Sequence, residues 1–261
     1  MLNQFSRTQL LFGKPAIDTL AGCHVAVFGL GGVGGYVVEV LARSGVGALD
    51  IFDNDQVCIT NINRQIIATT STIGQDKVDV AEARILDINP HCIVHKYKVF
   101  YLVSNAGQFD LSQYDYVVDC IDTVSAKMEL VRRCKRLNVP IICSMGAANK
   151  FDTTAFKVAD ISKTKNDPLA KIMRKRLRRE GIRHFKCVYS DELPTIPFND
   201  DTCCESTSDT TAERRSIPAS NAFVPAAEGI IVGGEVVKDL IHAAGTMRIP
   251  PEEWNAQARP V

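Results

Sequence analysis

The sequence predicts an α/β chain: a doubly wound, mainly parallel sheet with a C-terminal extension. Three observations carry that expectation. The apolar run His24 to Phe28 leads straight into a glycine-rich turn, Gly29 to Gly35, and then into a helix from about Gly34 to Ser44. Similar short runs recur at Leu49 to Phe52, Tyr116 to Ile121 and Pro140 to Ser144, with helical segments between them. Runs this short and this continuously apolar suit strands covered on both faces, and their alternation with helices implies a parallel sheet.

Ahead of the first strand, Asn3 to Pro15 places Arg7 before an apolar patch, Leu10 to Phe12. That patch either docks on a partner surface or belongs to an ordinary amphipathic helix with Arg7 in solvent. In the turn itself, Gly29, Gly31, Gly32 and Gly34 let the backbone bend sharply and bring its amide groups against a ligand, at a helix N-terminus that attracts phosphate. The second strand ends at Asp53, about twenty residues beyond the glycines, where a carboxylate can hold ribose hydroxyls. Alone, this pattern favours a dinucleotide dehydrogenase.

The following residues, Asp53-Asn-Asp-Gln-Val-Cys-Ile-Thr-Asn-Ile-Asn-Arg-Gln65, shift the balance. Asp53, Asp55 and Arg64, with Asn61 beside them and Lys77 a dozen residues on, bring more charge than a hydride-transfer site uses. Phosphate displacement uses it: Arg and Lys neutralise developing charge and a carboxylate carries a divalent cation. The alternative is a solvated loop in which Arg64 pairs with Asp53 or Asp55. Gly74 to Ile88 reads as a helix, with Val78, Ala81, Ile85 and Ile88 as its stripe and Lys77 in the first turn, where a cation is unfavourable unless an anion offsets it. Cys92 to Tyr97 follows as a strand and Ser104 to Gln113 as a looser connection. After Tyr116 to Ile121, Asp119 and Asp122 fall at the carboxyl end of a strand, where open parallel sheets bind their ligands. Asp122 is the magnesium candidate, and Asp119 is expected to cap the helix Ser125 to Leu137.

From Phe151 the character changes. Lys157 to Ile161 is expected to be a strand of a second sheet. Asp167-Pro168 starts a helix with an apolar stripe of Leu169, Ile172, Met173 and Leu177; Lys171, Arg174, Lys175, Arg178 and Arg179 cover its other faces, and Arg176, Arg183 and Lys186 extend the basic surface. This is either a solvated face or a platform for phosphates. Phe198 to Ser216, rich in Asp, Ser and Thr and containing Cys203-Cys204, is expected to be a mobile lid, without a basic helper to activate either thiol. Ala222 to Ala244, with Gly233 and Gly234, suggests a closely packed helix, and Arg248 to Val261 a tail.

Composition bounds the rest. Thirty basic residues balance thirty acidic ones, so any attraction for nucleic acid must be local. Nine cysteines without paired CxxC spacing argue for reduced, mostly core-filling thiols. No apolar run approaches a membrane span and the N-terminus lacks a signal-peptide pattern, so a cytoplasmic protein is expected.

The GxGGVG turn, the DxDxVxxxNxxRQ segment, Lys77 and Ile121-Asp122 resemble the ThiF/MoeB superfamily of ubiquitin-activating-like enzymes. The resemblance covers roughly residues 1–150 and implies a Rossmann-like ATP-binding region, with residues 151–261 as a substrate extension completing the same domain. Val158 to Ala170, the basic helix and Cys187 to Glu192 look more narrowly like the tRNA threonylcarbamoyladenosine dehydratase branch. The lack of CxxC zinc pairs departs from many superfamily members and fits that branch. The resemblance implies ATP and Mg2+ as cofactors, adenylation of a carboxylate, and tRNA carrying threonylcarbamoyladenosine as substrate. It also implies a homodimer in which Arg7 reaches the phosphates of the neighbouring subunit, and a sulfur-transfer protein as a further partner. The rival readings are an activator of a ubiquitin-like sulfur carrier and a non-catalytic nucleotide-regulated tRNA-binding scaffold.

Overall fold

The computed structural model describes residues 2–198 and 218–246. The expected lid, but for Phe198, the pair Cys203-Cys204 and the tail lie outside the described residues. Two short helices, α1 (Ser6–Phe12) and α2 (Lys14–Gly22), precede strand β1 (His24–Phe28) and helix α3 (Gly34–Ser44). Then come β2 (Ala48–Phe52), α4 (Lys77–Ile88), β3 (Ile93–Tyr97), β4 (Tyr116–Asp119), α5 (Val124–Leu137) and β5 (Ile141–Ser144). The extension adds β6 (Phe156–Asp160), α6 (Pro168–Arg179), β7 (Lys186–Ser190) and α7 (Val224–Ala243).

All seven strands form one sheet, in the order β3-β2-β1-β4-β5-β7-β6. Every pairing is parallel except β6 with β7, so Phe156–Asp160 is an antiparallel edge and not part of a second sheet. The expectation failed because the intervening strand, β7, was not assigned from sequence; once β7 lies beside β5, β6 has a neighbour in the main sheet. Alternation along each strand feeds two cores. Val25 and Val27 of β1 and Leu49 and Ile51 of β2 meet α2, α3, α4 and α7, while Ala26, Phe28 and Phe52 meet α5 and α6. Both faces are therefore covered, which is why these strands read as continuous apolar runs.

Helix α7 lies against α3 at a distance only glycine permits. A Cβ on Gly229 would stand 2.4 Å from the Val33 carbonyl oxygen, and one on Gly233 would stand 2.8 Å from Val40 Cβ, whereas Gly234 faces open space. On the same helix Glu228 is wholly buried; its Oε1 accepts the Met145 N–H at 2.9 Å and Oε2 has no partner among the described residues. Burial raises its pKa from the usual 4.5 to about 8, against the opposing pull of Lys127, Lys150 and that N–H. Between those two values the folded chain holds a proton that the unfolded chain releases, so stability falls as pH rises through the window. From about pH 6 to about pH 8 the loss is about 2 kcal/mol, some 4–8 °C in Tm for a chain of this size. Glu228→Gln, which keeps the acceptor, is expected to remove that much of the slope in melts across the range. An identical slope in variant and native chain would show that Glu228 does not titrate there.

Candidate active site

The strand order reverses between β1 and β4, and a cavity of about 330 Å³ opens at that point, beyond the carboxyl ends of β1, β2 and β4. Its rim is the glycine turn. A Cβ on Gly34 would fall 1.8 Å from the Gly29 carbonyl oxygen, so the turn closes as tightly as it does only with glycine there. Gly31, by contrast, borders the cavity with nothing nearer than 4.0 Å to where its Cβ would be, which leaves room for a ligand against the backbone.

Asp53 ties this rim to β2. Its Oδ2 accepts the Leu30 N–H at 2.7 Å and its Oδ1 the Asp55 N–H at 2.9 Å. Each oxygen keeps a second lone pair for a ligand hydroxyl. Burial raises the pKa of this carboxyl, against the lowering effect of Lys77 and the two amides. Lys77, at the first position of α4, is buried, with Nζ 2.7 Å from Asp55 Oδ2 and 3.8 Å from Asp53 Oδ1. The offsetting anion that a lysine in the first turn calls for is thus supplied by the chain itself.

Arg64 pairs with neither Asp53 nor Asp55. Its guanidinium bonds the Thr60 carbonyl at 2.9 Å and Asn63 Oδ1 at 2.8 Å, and desolvation lowers its pKa. No described carboxylate neutralises it, so its charge is open to the cavity it lines. Asn61 also lines the cavity, with Oδ1 accepting the Cys58 N–H at 3.0 Å. Asp122 stands exposed at the wall opposite.

Asp119 is not a helix cap. It is fully buried, with Oδ2 3.1 Å from Lys127 Nζ, and that ammonium also donates to the Ile121 carbonyl at 3.0 Å. Burial opposes the charge on Lys127, but Asp119 together with Cys143 and Cys120 more than offsets it, and the lysine pKa stands above its ordinary value. The pair thereby fixes the backbone just before Asp122. Cys120, in the cavity wall, is a poor nucleophile, its thiol pushed up to about 12 by desolvation. Cys58 departs from the core-filling expectation: it is exposed, and hydrogen bonding with Thr60 lowers its pKa.

The structure adds groups that the sequence reading did not single out. Gln65 is buried against the cavity with Oε1 unpartnered among the described residues, an acceptor open to a ligand. Phe28, Phe52, Val99, Phe100 and Tyr101 give the cavity an apolar end, with Phe28 and Phe52 stacked 4.1 Å apart. The run Val99 to Val103, directly after β3, was the available signal.

Outside the cavity, Arg7 is exposed on α1 beside Leu10 and Leu11, and does not line its own chain's cavity. On α6, Lys171, Lys175, Arg178 and Arg179 are exposed, but Arg174 is half-buried and turned inward onto the Thr164 carbonyl at 3.0 Å and the Thr164 hydroxyl. Of the expected stripe, Met173 and Leu177 are buried together with Ala170, Leu169 packs half-buried against the same core, and Ile172 is exposed. Lys186 leaves the basic surface altogether: it sits in β7, 2.6 Å from Glu235 and 2.8 Å from Asp239.

Residues 5–252 match the model of the ThiF family. The chain belongs to the ThiF family. It is 48% identical over 252 residues to the tRNA threonylcarbamoyladenosine dehydratase of Bacillus subtilis, covering 95% of this chain and 99% of that one. The Escherichia coli dehydratase is 35% identical over 253 residues, with 92% and 94% covered. The crystal structure of the E. coli enzyme, TcdA, in complex with ATP superposes with a TM-score of 0.82 at 33% identity, over 93% of this chain and 95% of that one. Within the ThiF family the seven-stranded, mostly parallel sheet found here is therefore the expected frame.

Proposed function

We propose that this chain is an ATP-dependent dehydratase that cyclises threonylcarbamoyladenosine in tRNA through an acyl adenylate. One observation carries the reading: Arg64, without a carboxylate partner among the described residues, and Lys77 join Asp53 and the glycine turn in lining a switch-point cavity. That constellation suits a triphosphate, and the chain that bears it aligns over 95% and 92% of its length with two dehydratases of this kind.

The residues divide the work. Glycine-turn amides and Asp53 hold the nucleotide; Arg64 and Lys77 neutralise its phosphates, and the Asn61 amide can donate a hydrogen bond to them. Asp122, a carboxylate exposed at the cavity wall, is the residue that would hold magnesium, whose charge would favour departure of pyrophosphate. The substrate carboxylate attacks the α-phosphorus and pyrophosphate leaves, giving an acyl adenylate. A nucleophile within the same modified side chain then attacks the acyl carbon, closes a ring and expels AMP, so the base loses one water in all. Both reacting groups belong to one side chain, so proximity makes a protein thiol unnecessary, in keeping with the inert Cys120. Arg7, exposed and not among the residues lining its own chain's cavity, is assigned to the cavity of a second copy, a finger in trans. A monomer with full ATP turnover would remove that role. Within the extension from residue 151, β6 and β7 complete the sheet, α6 is assigned the tRNA surface, and the cytoplasm, where tRNA and ATP meet, is the expected compartment.

Incubation with ATP, magnesium and modified tRNA, followed by mass analysis of the nucleosides, is expected to show loss of one water from the modified base. An unchanged mass together with pyrophosphate exchange dependent on a sulfur-carrier protein would favour the rival activator instead. For the basic helix, neutralising Lys171, Lys175 and Arg178 together is expected to weaken tRNA binding and to reduce the dependence of log affinity on log salt by roughly 2–3. ATP binding without tRNA should not change. Equal tRNA affinity in the triple variant would reduce α6 to a solvated face.

A further inference from the structure

The first three strands gather a different chemistry on residues that do not line the cavity. His24 opens β1, Asp50 is the middle residue of β2, and His95 is the middle residue of β3. In parallel register Asp50 stands between Ala26 and His95, and two-residue alternation brings His24 to the same face. His24 Nε2 lies 2.6 Å and His95 Nδ1 2.7 Å from one oxygen, Asp50 Oδ1. The other oxygen accepts the Tyr114 hydroxyl at 2.7 Å. The three converging atoms all lie within 4.8 Å of one another, the only such group of three metal-ligating side chains among the described residues.

We infer that His24, Asp50 and His95 bind a divalent transition ion of zinc's class, with water completing the coordination. Two imidazoles and one carboxylate are the donor set of three-ligand zinc sites. Tyr114 acts from behind: it fixes the carboxylate through the oxygen facing away from the ion, and its ring packs edge-on against His24 at 4.9 Å between centroids. Two of the ligands rest on strands of the sheet interior, whereas His95 is half exposed, which leaves solvent a coordination position. A tetrahedral ion with bonds of about 2.0 Å needs its ligand atoms roughly 3.3 Å apart, so each imidazole must withdraw by about 0.6 Å. The exposed His95 ring has that freedom.

The consequence falls on the edge strand. β3 buries little of its own surface, with Ile93 59% exposed, and pairs within the sheet with β2 alone. An ion shared by β1, β2 and β3 would clip that edge in place.

The test uses the full-length chain without a histidine tag, stripped with chelator and titrated with Co2+ and Zn2+ in the absence of nucleotide. One equivalent of Co2+ is expected to give the visible bands of a four-coordinate site, displaced by Zn2+. His95→Gln, at an exposed position, is expected to lose them, and Tyr114→Phe to weaken binding about 10–100-fold. Zn2+ should raise the Tm of the native chain and not of His95→Gln. Absent bands, or a Zn2+ shift in Tm equal in both chains, would leave the trio a hydrogen-bonded cluster and overturn the site.

Discussion

Lys77→Met is expected to lower ATP-dependent dehydration about 10²–10³-fold, the range for losing one preorganised charge-stabilising group. The lysine is buried and held between Asp55 at 2.7 Å and Asp53 at 3.8 Å, so its charge is fixed before any nucleotide arrives. A triphosphate entering the cavity meets an ammonium that needs no reorganisation. Methionine keeps the stem's volume and removes the charge, leaving two carboxylates facing the same phosphates; the effect should therefore be felt in KM for ATP as well as in kcat. Lys77→Arg retains the charge on a longer, planar head and should recover only part of the rate. Steady-state rates on modified tRNA, read beside Tm, decide the matter. Unchanged kcat/KM in a folded Lys77→Met chain would detach this residue from the phosphates and leave Arg64 to neutralise them alone.

The part of this site that could be read from sequence is the part made by local chain. The turn, Asp53 at its strand end and the segment through Gln65 lie within one βαβ unit, so spacing alone predicts their meeting. Lys77 was legible because a cation at a helix start asks for an anion. What escaped was made by distant chain. Lys186 reads as one more member of a basic run until β7 carries it beneath α7, where Glu235 and Asp239 neutralise it. Arg174 shares the helical spacing of its exposed neighbours but faces Thr164, and no periodicity distinguishes a guanidinium that hydrogen-bonds inward from one in solvent. Asp119 looked like a cap because it precedes a helix; its partner, Lys127, lies inside that helix on the buried side. In each case the missing information was which polar group waits at the place where the side chain ends, and that is set by packing.

The same buried pair yields the largest expected effect on stability. Lys127→Met removes the only described cation beside Asp119 and leaves a carboxylate wholly out of water, which costs about 3–5 kcal/mol, or roughly 10 °C in Tm. Replacing both partners, Lys127→Met with Asp119→Leu, removes the stranded charge as well and should recover most of that loss, because a buried ion pair is often no more stabilising than apolar groups of similar size. Activity should behave differently. The ammonium also bonds the Ile121 carbonyl at 3.0 Å, one residue before Asp122, and neither methionine nor leucine can replace that donor. The double variant is therefore expected to regain its melting temperature while still turning over slowly, with the deficit in kcat more than in tRNA affinity. A double variant as unstable as Lys127→Met alone would mean the single change acts through packing rather than charge. One restored in rate as well as in Tm would mean that Asp122 holds its position without Lys127.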